Sequence, residues 1–127
     1  MTKMATGLAG VFLATALLGG LATSAKAQAA HDGLWSVLII TDRGTCDRGY
    51  RYAVRIKGGT VAHADPANSS FRIRGRVTGN GAIRVSVARG DQSANGSGRI
   101  GRNSGAGRWK SAKGECSGTW EAERRGS

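Results

Sequence analysis

The chain has 127 residues, among them 21 glycines and one proline, and carries a formal net charge of +11. Once a leader is set apart, that length excludes a second domain and limits the remainder to one modest core, which buries roughly 60–65 % of its unfolded surface. Two cysteines and two histidines leave little material for a metal cage or for Cys-His nucleophilic catalysis.

Residues 1–7 carry a single charge, Lys3, and Leu8 to Leu21 form an uncharged run too short to span a bilayer. Two small-x-small sites follow at once, Ala25-Lys26-Ala27 and Ala27-Gln28-Ala29. This is the pattern of a secretory signal peptide over residues 1–29 and not of a membrane anchor. It predicts a mature domain, residues 30–127, that is secreted or periplasmic and has no transmembrane segment. Without Lys3 and Lys26, 17 basic residues face 8 acidic ones, and 14 of the 17 are arginine. Arginine's planar fork suits paired contacts with carboxylate, sulfate or phosphate better than a diffuse cationic coat does. In an oxidising compartment Cys46 and Cys116 are expected to pair, which stabilises by roughly 4 kcal/mol in the chain-entropy model.

The mature chain reads as a succession of short strands. Gly33 to Thr41 (GLWSVLIIT) is apolar and rich in β-branched residues, with Trp35, Val37 and Ile39 in one row and Leu34, Leu38 and Ile40 in the other. After a turn over Asp42–Asp47, Arg48 to Lys57 alternates, with Tyr50, Tyr52, Val54 and Ile56 inward and Arg51, Arg55 and Lys57 outward. Gly58-Gly59 makes a tight reversal that sets Val61 opposite Ile56 and His63 opposite Val54, and a polar loop begins at Asp65-Pro66. Phe71 to Val77 places Arg72, Arg74 and Arg76 on one face, and a three-residue reversal after Val77 sets Arg74 across from Arg84. Parity across Gly90-Asp91 then pairs Val87 with Ala94, Val85 with Gly96 and Ile83 with Gly98. Parity across Arg102-Asn103 pairs Ile100 with Gly105, Gly98 with Gly107 and Gly96 with Trp109, so the Trp109 indole is expected to cover a bed of glycine. Cys116 to Glu123 is the last strand. Eight strands with reversals too tight for helices predict a single antiparallel up-and-down β-barrel, with a β-sandwich as the alternative.

Candidate chemistry is sparse. No His-x-x-x-His, Cys-x-x-Cys or carboxylate cluster stands in the chain, and most aspartates fall at turns, where their side chains bond nearby amides. The GNG, GSG and GAG triplets precede no helix and so lack the geometry of phosphate loops. No enzyme activity, metal or cofactor is expected. The arginine rows are the candidate anion-binding feature: Arg51, Arg55, Arg72, Arg74, Arg76 and Arg84, facing lipopolysaccharide, an acidic polysaccharide or another polyanion. Specific single-strand nucleic-acid recognition is not expected, because the aromatics after residue 30 are assigned to inward rows and leave at most Tyr50 to stack on bases. A monomer is expected.

Gly33-x-Trp35 on the first strand, with Arg124 just past the last, resembles the calycin arrangement of lipocalins and avidins. The resemblance implies an arginine packed across the tryptophan to close the barrel, and a small-ligand carrier or enzyme-inhibitor barrel with a ligand mouth at one end; Trp35, Tyr52 and His63 are the candidate ligand contacts lining its interior. Separately, TDRGTCDRGYRYAVRI, ARGDQSANGSGRIGRNSGAGRW and CSGTWEAERRG are similar to segments of a family of small secreted proteins from rhizobial-type alphaproteobacteria, a resemblance that assigns no functional residue. The resulting expectation is a secreted or periplasmic, non-enzymatic binding protein with an arginine face, and a calycin-like carrier or inhibitor as the alternative.

Overall fold

The computed structural model describes residues 29–127. The expected signal peptide lies outside these residues, its final alanine excepted. Eight strands follow in order: β1 (Gly33–Arg43), β2 (Gly49–Lys57), β3 (Thr60–His63), β4 (Arg72–Val77), β5 (Ala82–Arg89), β6 (Gln92–Ile100), β7 (Ser104–Ser111) and β8 (Ser117–Gly126). Each pairs antiparallel with the next, and β1 pairs with β8 from Leu34↔Gly126 to Arg43↔Ser117, so the sheet closes into an eight-stranded up-and-down barrel. Closure removes the two free edges that a sandwich would have left. One 3-10 turn, Pro66–Asn68, interrupts the β3–β4 loop and begins at the single proline.

Register follows from side-chain parity wherever the reversal is two residues long. Gly58 and Gly59 both have positive φ (57° and 82°), which a two-residue hairpin turn needs and glycine adopts without strain. Val61 accordingly faces Ile56, and His63 faces Val54. The ladders across Gly90-Asp91 and Arg102-Asn103 likewise carry Val85↔Gly96, Ile83↔Gly98, Gly98↔Gly107 and Gly96↔Trp109.

Three expectations need correction. The β4–β5 reversal turns one residue later than expected, with Thr78 N–H donating to Ala82 O, so Arg76 and not Arg74 opposes Arg84, while Arg74 opposes Ser86. Thr78 is held there by Asn80, whose side-chain oxygen accepts from both Thr78 Oγ1 and Ala82 N–H. The last strand continues beyond Glu123 to Gly126, so Arg124 belongs to β8 itself. Finally, the glycines of β6 and β7 seat Trp120 rather than Trp109. A Cβ at Gly98 or Gly107 would stand 2.7 or 2.6 Å from the Trp120 ring, whose Nε1–H donates to Ser97 O at 3.2 Å. Trp109 turns the opposite way, past its register partner Gly118, and donates from Nε1 to Ile40 O at 2.9 Å. Each indole thus spans a neighbouring strand at a glycine and anchors on the strand beyond.

The core sits toward one end. Trp35, Ile56, Val61, Val77, Ile83 and Ile100 are buried there. Arg124 seals this end. Its guanidinium lies 5.0 Å from the Trp35 ring centroid and donates to the carbonyls of Asp32, Ala30 and Arg102. The arginine-over-tryptophan contact implied by the G-x-W resemblance is therefore present, and the carbonyls it ties down belong to the segment before β1 and the β6–β7 turn. Trp35 Nε1–H itself donates to His31 O at 3.0 Å.

Candidate functional site

Beyond the sealed end, Val37, Val85, Val87, Ala94 and Gly96 leave room between the aromatic side chains, and a cavity of about 570 Å³ opens between the β1–β2, β3–β4, β5–β6 and β7–β8 connections. Along β2 the inward row descends from Tyr50 at the rim, 40 % exposed, through half-buried Tyr52 to Val54 and Ile56, which are buried. Trp35, Val37, Val85, Val87, Trp109 and Trp120 complete most of the wall. The Cys46–Cys116 disulfide forms as expected, with 6.2 Å between Cα atoms, and joins the β1–β2 loop to the start of β8 on the rim of this cup.

The rim is aromatic on one side. Tyr50 packs against Phe71 (5.2 Å between centroids) and Tyr52 (6.0 Å), and Arg89 caps the outer face of the cluster, 5.2 Å from the Phe71 centroid. Asp47, Arg89 and Glu115 are the charged residues of the lining, all at the rim. Burial, and secondarily the Tyr50 phenol beside it, pushes the Tyr52 hydroxyl up from 10.0 to about 12. It is therefore neutral at any ordinary pH.

Of the three residues expected to line the barrel interior, the structure brings two together. Trp35 forms part of the cavity floor and Tyr52 part of its wall. His63 shares the inward parity of β3 but does not line the cavity: its Nδ1 accepts Asp65 N–H at 2.9 Å, so it is spent on starting the β3–β4 loop. β3 is only four residues long, and His63 is its last residue. Sequence reasoning missed Phe71, Arg89, Val85 and Val87 as lining residues. Their inward parity was visible, but the hollow they face depends on residues several strands away.

The arginine rows occupy the outer wall. Arg51, Arg55, Arg72, Arg74, Arg76 and Arg84 are all exposed, and the last three share a shallow groove with Ser86, Asn95 and Ser97. Arg51 donates to Ser36 Oγ at 3.0 Å, and Arg76 to Thr60 Oγ1 at 3.4 Å. Strands β2 to β7 contain eleven lysine or arginine residues and no aspartate or glutamate. Among the described residues the one ion pair, Glu123–Arg125 at 3.4 Å, lies on β8 and is exposed on both sides. Arg76 opposite Arg84 is a like-charge cross-strand pair, which weakens a sheet modestly and is not explained by stability.

Among the described residues no three His, Cys, Asp or Glu side chains converge on a point that could hold a metal ion, and no helix is long and apolar enough to cross a membrane. No family model matches the chain, and no curated protein matches it.

Proposed function

We propose that this protein is a non-enzymatic binding barrel of the extracytoplasmic space that carries a small, largely apolar ligand in its cup. The observation that supports this is the cavity: about 570 Å³, apolar in its walls, open at one end and sealed at the other by Arg124 and Trp35. Ligand sites are concave, mostly apolar and of this size. A disulfide across the rim is compatible with an oxidising compartment. The reading is tested with N-phenyl-1-naphthylamine, which fluoresces on entering an apolar site. Saturable one-to-one binding is expected, and Ala94→Trp, which fills the upper cup from β6, should abolish it while the barrel stays folded by circular dichroism. Failure of the wild type to bind, or equal binding by Ala94→Trp, would overturn the reading.

A second reading concerns the outer wall and is supported by the six consecutive strands that hold eleven cations and no carboxylate. Such a face suits docking on a polyanion such as lipopolysaccharide or an acidic polysaccharide, by counterion release and arginine forks. Retention on immobilised heparin should fall steeply with salt, and Arg72→Ser/Arg74→Ser/Arg76→Ser should elute well before wild type. Elution of the triple variant with wild type would remove this reading and leave the first untouched.

A further inference from the structure

The hydrogen-bonding inventory of the cup specifies its ligand more narrowly than its volume does. Three indoles line the cavity, and each N–H is already committed to a backbone carbonyl: Trp35 to His31, Trp109 to Ile40 and Trp120 to Ser97. They present only carbon faces. Thr41 Oγ1 donates to Asp47 O at 2.5 Å, Ser111 Oγ donates to Cys116 O and accepts Cys116 N–H, and exposed Asn95 turns to the outer wall, where its side-chain oxygen accepts from Ser86 Oγ. Below the rim this leaves the Tyr52 hydroxyl, which has no hydrogen-bond partner among the described residues and stands on the cavity wall. It lies two residues below Tyr50, about 7 Å along the strand.

The charges argue in the same direction. Two carboxylates, Asp47 and Glu115, and one guanidinium, Arg89, edge the opening, and the guanidinium is already seated over Phe71. An anionic head at the mouth would meet more like charge than unlike. An anionic or cationic group lower down would be buried with a single neutral phenol for company, which is costly for an unpaired ion. An apolar body with one hydroxyl, carbonyl or ether at mid-length meets no such obstacle.

We infer that the cup selects uncharged, predominantly apolar molecules bearing one hydrogen-bonding group, which pairs with the Tyr52 hydroxyl, and that it rejects charged amphiphiles of the same size. The inference rests on the carrier reading above. Burial keeps the phenol protonated, so the pair forms with a donor or an acceptor on the ligand.

The test is displacement of bound N-phenyl-1-naphthylamine at pH 7 by naphthalene, 2-naphthol and 2-naphthoate, which differ in one substituent. In wild type 2-naphthol should bind about fivefold to tenfold more tightly than naphthalene, the effect of one hydrogen bond, and 2-naphthoate at least tenfold more weakly than 2-naphthol. Tyr52→Phe should erase the 2-naphthol advantage while leaving naphthalene affinity within about twofold, which also shows that the variant cup is intact. Equal or tighter binding of 2-naphthoate, or an unchanged 2-naphthol advantage in Tyr52→Phe, overturns the inference but not the carrier reading. No displacement by any of the three likewise overturns the inference alone, whereas failure of N-phenyl-1-naphthylamine itself to bind overturns both.

Discussion

The pairing of tryptophan with glycine across β6, β7 and β8 can be broken at one atom. A Cβ at Gly107 would stand 2.0 Å from Ser97 O and 2.6 Å from both Cε2 and Cζ2 of Trp120. Neither neighbour can yield. The carbonyl is backbone in the β6–β7 ladder, and the indole is 7 % exposed and hydrogen-bonded to that same carbonyl. Overpacking of this kind costs about 1–3 kcal/mol, and displacing the indole removes a hydrogen bond worth about 1 kcal/mol. The reduced entropy of the unfolded chain returns about 0.4–1 kcal/mol. Gly107→Ala should therefore destabilise by about 2 kcal/mol net, a melting shift of roughly 8–16 °C for a domain of this size. Gly96→Ala is the inward-facing control on the neighbouring strand β6, since its nearest contact would be 3.5 Å, and Gly49→Ala meets nothing within 4 Å. Both should fall within about 0.5 kcal/mol of wild type. Urea unfolding followed by tryptophan fluorescence reports the midpoints at constant slope. If Gly107→Ala unfolds together with Gly96→Ala, the indole is not seated on that glycine and the account of the wall is wrong.

Replacing both Cys46 and Cys116 by serine should cost about 4 kcal/mol, because the bond closes a 70-residue separation; a loss below about 1 kcal/mol in urea would show that the β1–β8 ladder alone holds the rim. Arg124→Met keeps an apolar stem over Trp35 but strips three carbonyls of charged donors, so a loss of about 2–3 kcal/mol is expected, with little rescue by Arg124→Lys, whose single ammonium lacks the fork. Full rescue by lysine would refute the bracing role. Tyr52 predicts an alkaline effect. Its folded pKa, about 12, is raised above 10.0, so the phenol's contribution is fully present below pH 10 and is lost as pH rises from 10 through about 12, on the order of 2 kcal/mol in all. Wild type should lose stability relative to Tyr52→Phe over that window, and a difference that stays flat would contradict the burial of the hydroxyl.

Much of the barrel was legible because its reversals are short. A two-residue turn leaves parity no freedom, so the partners of Ile56, Val85, Gly98 and Ile100 could be read directly from spacing. The β4–β5 reversal shows where that logic fails. Thr78, Gly79, Asn80 and Gly81 offer two ways to turn, and the choice of Arg76 over Arg74 as the partner of Arg84 rests on the Asn80 side chain, which pattern reading does not weigh. The direction of each indole was likewise hidden, because Trp109 and Trp120 sit on adjacent strands with glycines on both sides, and a carbonyl two strands away decides which seat each takes. The arginine wall needed only alternation. The cup needed the sum of side-chain volumes around a closed ring, a quantity no single stretch contains.

That sum bears on why the interior is hollow. A barrel selected for stability alone would fill its upper half with leucine or phenylalanine, yet β5 and β6 contribute Val85, Val87, Ala94 and Gly96 there, and the valines stay only half-buried. Each apolar side chain left facing an open cup forgoes part of the roughly 1.5–3 kcal/mol that full burial contributes, a serious sacrifice in a domain with so small a core. The disulfide on the rim and the arginine brace at the base lie at the two ends of this weakly packed region and offset part of the deficit. A ligand that buries those valines restores the rest, and its effect on stability follows RT ln(1 + [L]/Kd), about 2.7 kcal/mol at a hundredfold excess over Kd. Melting temperature should therefore climb with 2-naphthol concentration in wild type and stay unchanged in Ala94→Trp, whose cup is already filled by its own side chain. A ligand that raises the melting temperature of Ala94→Trp as much as that of wild type would be sitting somewhere other than in the cup.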